Sequence, residues 1–239
     1  VLAGGGASLD AVEAAVRSLE DDELFNAGRG AVLTRAGTCE LDASIMDGRT
    51  LKCGAGAGLR TVRNPITFAR RVMEQTPHIL FTGEGAETVA TQLGVDRVEP
   101  AYFITPRRRE QLDKRMRELG LAAASPDASL TRGTVGCVAL DVHGNIAAGT
   151  STGGMTAKMP GRVGDSPLIG AGCYANNATL GVSCTGTGEQ FIRNAAAHEL
   201  SSLVRYRGLS LDRAARTVLT ERLDIDDGGL IAVDREANI

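Results

Sequence analysis

The chain has 239 residues, 43% of them hydrophobic and 23% charged, which is the balance of a globular protein able to bury a core. A net charge of −3 excludes a strongly basic surface, and no apolar stretch approaches the roughly 20 residues of a membrane span, so we expect neither a nucleic-acid nor a membrane partner. Five cysteines without a C-x-x-C pair fit a reducing compartment, and we expect a cytoplasmic protein.

In the first half of the chain the pattern predicts one helix, then three strands, then three helices. Apolar residues recur at helical spacing after Ser8, which is a good N-cap. Alternating glycine and alanine at 53–59 predicts a strand in very tight contact. The pattern predicts helices over residues 8–20, 65–74, 84–93 and 106–119, and strands over residues 31–33, 40–46 and 53–59.

Between residues 121 and 133 the periodicity disappears, which predicts an exposed linker. The pattern then changes abruptly, and alternating residues predict a β-hairpin whose first strand begins at or beside Thr134. Further elements are expected as strands over 146–150, 180–185 and 230–233, and as helices over 188–204 and 210–222. This order indicates sheets covered by helices rather than a repeated βαβ unit.

Metal and nucleotide chemistry find little support in the sequence. His78, His143 and His198 are far apart and lack the i, i+4 spacing of a helical zinc site. Residues 54–58 lack the third-glycine spacing of a dinucleotide site, and no Walker A lysine follows a glycine run. A Ser-His-Asp triad stays open because its spacing follows no rule, although no G-x-S-x-G elbow is present.

The second half of the chain contains four segments in which hydroxyl-bearing residues and glycines are concentrated. Each segment alone would be an ordinary turn. These segments are 133–136, 150–154, 161–167 and 184–189. A threonine at a chain start carries its own α-amine, which can act as the base without a histidine. The hydroxyl and N–H of Thr185-Gly186 can form an oxyanion hole. Arg162 and Asp165 can clamp the carboxylate and ammonium of an amino acid.

Thr134 is internal, so this chemistry requires cleavage of the Gly133–Thr134 bond. The Thr134 hydroxyl can attack the Gly133 carbonyl and give an ester that water hydrolyses. Glycine at position 133 lowers the steric cost of the strained conformation, and the preceding linker is a place where a break is tolerated.

Over nearly its whole length the sequence resembles the plant-type asparaginase and isoaspartyl peptidase family of N-terminal nucleophile hydrolases. The resemblance rests on residues 24–30, 40–48, 133–141, 150–154 and 161–177. It implies an α+β fold, an αββα four-layer sandwich formed by one hydrolase domain over 1–239, here lacking the family's first strand. It further implies autoproteolysis into an α-subunit part (1–133) and a β-subunit part (134–239), assembled as a dimer of αβ heterodimers.

The resemblance also implies a role for each catalytic position. Thr134 would be the nucleophile, and Thr152 would lie beside it and support its hydroxyl. Thr185 and the N–H of Gly186 would hold the oxyanion, and Asn26 would support the nucleophile.

Substrate and ion sites follow from the same resemblance. Arg162 would bind the substrate carboxylate, Asp165 its ammonium, and Gly188 would line the same site. No catalytic cofactor is implied, but a structural sodium ion is, held by main-chain carbonyls. Those carbonyls belong to Leu19, Glu20, Asp22, Phe25, Ala27 and Arg29.

The expected activity is the release of L-aspartate from L-asparagine and β-aspartyl dipeptides, which are small-molecule partners. Two alternatives stay open. Glycosylasparaginase shares the fold and the threonine, although its usual precursor pair is Asp-Thr and this chain has Gly133-Thr134. An uncleaved, non-catalytic binding domain is the alternative of another class.

Overall fold

The computed structural model describes residues 1–121, 133–224 and 226–239, and it is a mixed α+β fold. Most of the predicted linker therefore lies outside the described residues. The helices are α1 (Ser8–Glu20), α2 (Pro65–Gln75), α3 (Gly83–Gln92), α4 (Pro106–Glu118), α5 (Gly188–Arg193), α6 (Ala196–Arg207) and α7 (Leu211–Thr217). The strands are β1 (Leu41–Asp47), β2 (Cys53–Leu59), β3 (Leu80–Thr82), β4 (Val135–Leu140), β5 (Ile146–Thr152), β6 (Cys173–Ala175), β7 (Leu180–Gly186) and β8 (Gly228–Asp234).

The strands form two sheets, one in the order β3-β2-β1-β5-β4 and one in the order β6-β7-β8. Every neighbouring pair is antiparallel except β2 with β3. The register sets Asp42 of β1 opposite Thr152 of β5, and Val135 of β4 opposite Ser151 of β5. The ends of three strands therefore converge where Thr134 enters β4.

Helices α1 and α2 pack on the five-stranded sheet, α1 against β4 and β5 and α2 against β1 and β2. Their amphipathic faces drive this packing: Val12 and Val16 of α1 and Phe68 of α2 are fully buried. A Cβ at Gly56 of β2 would lie 2.6 Å from the ring of Phe68. The tight contact predicted for residues 53–59 is thus confirmed, because only glycine lets the helix come this close.

The three-stranded sheet packs against α6 and α7 on one side and contacts β4 and β5 of the larger sheet. Leu200 of α6 and Val182 of β7 belong to one apolar cluster there. Between the sheets, the Thr150 and Ser183 hydroxyls are 2.7 Å apart. A Cβ at Gly136 of β4 would lie 2.8 Å from the Cβ of Ser183. Small and hydroxyl-bearing residues therefore let the two sheets approach closely.

The start of α1 differs from its prediction. The N-cap is Ala7 rather than Ser8, and the Ser8 N–H donates instead to the Asp141 carboxylate at 3.1 Å. The carboxylate that satisfies this helix terminus thus comes from a distant turn, which no local pattern could indicate. Among the described helices, none is long and apolar enough to cross a membrane.

The predicted strand at 31–33 is wrong. Ala31, Val32 and Leu33 are all buried, so their alternation does not mark one exposed face. The Val32 N–H donates to the side chain of Asn26 rather than to a neighbouring strand. The short strands β3 and β6 were not predicted, because three residues carry too little periodicity.

The single helix expected over 188–204 is two helices, α5 and α6. Ala195 interrupts them in the left-handed conformation, with φ at 45°. The N–H groups of Ala197 and His198 donate to the carbonyls of Ala171 and Gly170, so contacts to the preceding loop support the break. The helix expected over 210–222 is also divided, into α7 and a π-helical turn at Val218–Arg222.

Candidate active site

Thr134 and Thr152 face each other across two neighbouring strands of the larger sheet. Thr134 directly precedes β4 and is half-buried, whereas Thr152 ends β5 and is 3% exposed. Their Oγ1 atoms are 3.1 Å apart, which is hydrogen-bond distance. The N–H of Gly154 donates to Thr152 Oγ1 at 3.0 Å, so the Thr152 proton is available to Thr134.

Asn26 connects the segments on either side of these hydroxyls. Its main-chain N–H donates to the carbonyl of Gly133 at 3.0 Å, and its own carbonyl accepts from the Gly153 N–H at 3.0 Å. Its side chain donates to the carbonyl of Gly154 at 2.7 Å and accepts from the Val32 N–H at 2.9 Å. Asn26 is 1% exposed, so these bonds are shielded from water and hold Gly133 against the β5 loop.

Arg162 and Glu189 form a bidentate ion pair. The Nε of Arg162 donates to Glu189 Oε1 at 2.9 Å, and Nη2 donates to Oε2 at 2.8 Å. The Arg162 side chain is 16% exposed and that of Glu189 is 49% exposed. The guanidinium lowers the pKa of Glu189, so this carboxyl is ionised at neutral pH.

Asp165 lies beside this pair with an unsatisfied oxygen. Among the described residues, its Oδ2 is buried and has no hydrogen-bond partner. Burial raises its pKa from 3.8 to about 6. A Cβ at Gly188 would lie 2.9 Å from Asp165 Oδ1 and 3.0 Å from Arg162 Nη2. The three residues predicted to bind substrate are thus brought together by the structure.

Two buried charged residues, Lys158 and Asp42, connect the pair of threonines with the group around Arg162. Lys158 donates to the carbonyl of Glu40 at 2.8 Å and lies 3.9 Å from Asp42 Oδ2, with both side chains almost completely buried. Burial raises the pKa of Asp42 and lowers that of Lys158. Asp42 is the register partner of Thr152 and also feels the charge of Arg162. It is therefore opposite Thr152 in the sheet and near enough to Arg162 to be affected by its charge.

Thr185 and Gly186 end β7, immediately before α5 carries Gly188 and Glu189. Both are half-buried, and within the described parts of the chain the Thr185 hydroxyl makes no hydrogen bond. It is therefore free to contact a ligand. No hydrogen bond among these described parts joins Thr134 to Thr185.

The loop after α1 closes on itself. The Arg29 N–H donates to the carbonyl of Glu20 at 2.7 Å, and the Phe25 N–H donates to that of Asp22 at 3.2 Å. A carbonyl oxygen has two lone pairs, so these oxygens can still bind a cation. Among the described residues, no three His, Cys, Asp or Glu side chains are grouped so that they could hold a metal ion.

The side chain of Glu20 turns inward from this loop and is fully buried. Its Oε1 accepts from the Ile66 N–H at 2.9 Å and from the Ser151 hydroxyl at 2.6 Å. Oε2 has no partner in the described structure, and burial raises the pKa of Glu20 to about 8. Glu20 is therefore a neutral acid at pH 7.

The sequence did not single out Glu189, Lys158 or Asp42 as site residues. Glu189 belongs to the segment 184–189, and its place next to Gly188 was the one signal that could have identified it. Lys158 and Asp42 lie far apart in the chain, and nothing local indicates that either is buried.

Comparisons with known proteins give matches along the whole chain. The asparaginase family model matches residues 1–239. The chain is 55% identical to the isoaspartyl peptidase of Escherichia coli (strain K12), an alignment that covers 100% of this chain and 76% of the relative. It is 45% identical to the putative isoaspartyl peptidase/L-asparaginase of Dictyostelium discoideum, covering 100% and 78%. It is 44% identical to the probable isoaspartyl peptidase/L-asparaginase 2 of Arabidopsis thaliana, covering 97% and 78%.

Proposed function

Because this chain belongs to the asparaginase family, we propose that it is an amidohydrolase that releases L-aspartate from L-asparagine and from β-aspartyl dipeptides. The proposed activity is inferred from the relatives of this chain, which are named isoaspartyl peptidase or L-asparaginase. The observation that carries the proposal is the 3.1 Å contact between the hydroxyls of Thr134 and Thr152, next to a glycine whose carbonyl is held by Asn26.

We propose that the enzyme matures by cutting its own chain. The Thr134 hydroxyl attacks the carbonyl carbon of Gly133, the C–N bond breaks, and the nitrogen leaves as the α-amine of Thr134. Water then hydrolyses the Gly133 ester and restores the hydroxyl. The Asn26 N–H, 3.0 Å from the Gly133 oxygen, is placed to stabilise the negative charge that develops there.

The mature enzyme would use the same hydroxyl on its substrate. The freed α-amine accepts the proton of Thr134, whose oxygen attacks the side-chain amide carbon of the substrate. The Thr185 hydroxyl and the Gly186 N–H would hold the oxyanion, and Thr152 would keep the nucleophile oriented. Ammonia or an amino acid leaves with a proton, and water hydrolyses the aspartyl ester.

Substrate selection would depend on the zwitterion of the aspartyl group. The guanidinium of Arg162 would bind the α-carboxylate and the Asp165 carboxylate the α-ammonium. The buried, unpartnered Oδ2 of Asp165 supports this role, because a buried polar atom without a partner is costly until a donor reaches it. Gly188 would keep the space between the two open.

The assembly expected from the resemblance forms part of the proposal. We propose an αββα sandwich of parts 1–133 and 134–239, paired into a dimer of heterodimers. Contacts of α1 and α2 with one sheet, of α6 and α7 with the other, and of the sheets with each other support the four layers. The main-chain carbonyls of the loop after α1 would hold a structural sodium ion, since hard cations prefer oxygen ligands.

Intact mass spectrometry with N-terminal sequencing tests the proposal directly. The expected result is a fragment that begins Thr-Val-Gly-Cys, together with release of aspartate from L-asparagine and from a β-aspartyl dipeptide. Thr134→Ala is the matched control and should be uncut and inactive. An uncut wild-type chain that still hydrolyses either substrate would overturn the mechanism.

A further inference from the structure

The ion pair between Arg162 and Glu189 leaves half of the guanidinium unused. Glu189 engages the edge formed by Nε and Nη2, at 2.9 and 2.8 Å. Guanidinium is planar and carries five N–H donors, so a second edge, formed by Nη1 and the remaining Nη2 proton, can donate to another carboxylate. No described residue accepts a hydrogen bond from Nη1.

Two glycines flank this guanidinium. A Cβ at Gly164 would lie 2.9 Å from Arg162 Nη1, and a Cβ at Gly188 would lie 3.0 Å from Nη2. Neither glycine offers a side chain that could fix the orientation of the arginine. A long side chain with several rotatable bonds would otherwise sample many rotamers. Within the described structure, Glu189 is the one side chain that accepts hydrogen bonds from this guanidinium.

We propose that Glu189 is a positioning residue for substrate binding: it holds Arg162 by the Nε/Nη2 edge and presents the second edge to the substrate α-carboxylate. This inference rests on the proposed function, because it takes Arg162 as the carboxylate-binding residue. Glu189 itself needs no contact with the substrate. Its effect should therefore appear in substrate affinity rather than in the chemical step.

The opposite role, a carboxylate that competes with the substrate for Arg162, fits the geometry less well. A competitor would occupy the edge that the substrate needs, yet the Nη1 donors remain unused. Glu189 also lies in the first turn of α5, directly after Gly188, whose added Cβ would lie 3.0 Å from Arg162 Nη2. The two roles predict opposite changes in KM.

The test uses the mature enzyme carrying Glu189→Gln or Glu189→Ala. Each variant is assayed with L-asparagine and with L-asparagine α-amide, which has a neutral group in place of the α-carboxylate. For L-asparagine, KM should rise about tenfold in Glu189→Gln and further in Glu189→Ala, with kcat changed less than about twofold. For the α-amide, KM should stay within about twofold, because no carboxylate meets the arginine.

Glu199→Gln is the matched control, since it breaks another Arg–Glu pair, 3.4 Å from Arg222, and should leave both KM values unchanged. An unchanged or lower KM for L-asparagine in the Glu189 variants would overturn the positioning role. An equal rise for both substrates would also overturn it, because that result indicates general damage to the site.

Arg162→Ala separates this inference from the proposed function. If Arg162→Ala raises KM for L-asparagine and the Glu189 variants do not, only the positioning role is lost. If Arg162→Ala leaves KM unchanged, the proposed carboxylate site is wrong and the role of Glu189 is lost with it. Calorimetric binding of L-aspartate gives the same comparison without turnover, so an inactive preparation still decides the role of Glu189.

Discussion

The main-chain N–H of Asn26 donates to the carbonyl oxygen of Gly133 at 3.0 Å. Gly133 directly precedes Thr134, whose hydroxyl is hydrogen-bonded to that of Thr152. The hydrogen bond between Asn26 and Gly133 joins the loop after α1 to the residue before β4. The Asn26 side chain fixes that loop through Val32 and Gly154. The carbonyl that the proposed self-cleavage attacks is therefore held by a buried residue with four hydrogen bonds.

Gly133→Ala should slow self-cleavage roughly hundredfold, as expected for misplacement of a reacting group by about 1 Å. A Cβ at position 133 would lie 2.8 Å from the Cβ of Asn26, closer than the two carbons can come. The cut fraction over time by mass spectrometry measures this. Gly85→Ala, where a Cβ would meet nothing within 4 Å, is the control and should mature normally. Equal rates for the two variants would contradict the steric argument.

Thr152→Val should lower both maturation and hydrolysis about tenfold to hundredfold, whereas Thr152→Ser should stay near wild type. Valine keeps the shape of the buried side chain but removes the Oγ1 that contacts Thr134 and accepts from Gly154. Serine keeps that oxygen. Single-turnover assays of the two variants give the comparison. Two equally active variants would show that the hydroxyl at 152 does not assist Thr134.

A feature of this structure could be predicted from the sequence where residues close together in the chain cause it, and was missed where distant residues cause it. Amphipathic periodicity predicted α1, and the glycines of 53–59 predicted a strand in very tight contact, although not that its partner is α2. The break at Ala195 was missed because its left-handed backbone is stabilised by neighbours distant in the sequence. The grouping of Arg162 with Asp165 was predicted from their spacing. The pairing of Arg162 with Glu189 was not, because it needs a loop and a helix to meet.

L-aspartate binding should weaken below about pH 6. Burial raises the pKa of Asp165 to about 6, so its carboxylate is lost as the pH falls through that value. A neutral acid attracts the ligand ammonium weakly, and Kd should rise about tenfold per pH unit below pH 6. Calorimetry between pH 5 and 8 measures the profile. Asp165→Asn should bind more weakly and lose this dependence; a retained slope would assign it to another group.

Stability should fall as the pH rises toward 8 because of Glu20. Its pKa is raised from 4.5 to about 8 in the folded chain, so the folded state binds the proton more tightly than the unfolded state. The contribution of Glu20 is therefore fully present below pH 4.5 and declines above it, by up to about 1.4 kcal/mol per pH unit. Urea unfolding at pH 5 and 8, in the uncut Thr134→Ala background, measures this decline.

Glu20→Gln should flatten that decline, because glutamine stays neutral and can still accept from Ile66 and Ser151. The exposed Glu236→Gln is the control and should keep the wild-type pH dependence. If Glu20→Gln and Glu236→Gln give the same difference between pH 5 and 8, Glu20 is not the group responsible.

Lys158→Met should destabilise the uncut chain by about 3–5 kcal/mol, the usual cost of leaving a buried charge without its partner. The Lys158 and Asp42 side chains are 1% and 0% exposed, and Asp42 Oδ2 has no hydrogen bond in the described structure. Adding Asp42→Asn removes the uncompensated charge and keeps the acceptor for the Gly58 N–H. The double variant should therefore lose less stability than the sum of the two single variants.

Urea unfolding of the two single variants and the double variant gives the coupling between Lys158 and Asp42. The exposed Lys52→Met is the matched control and should change stability by less than about 0.5 kcal/mol. Strictly additive losses would mean that the lysine does not compensate Asp42. A double variant that loses less stability than the sum of the single variants would show that Lys158, in the loop after β5, compensates the charge of Asp42. Asp42 is the register partner of Thr152, so this lysine would then support the charge beside that threonine.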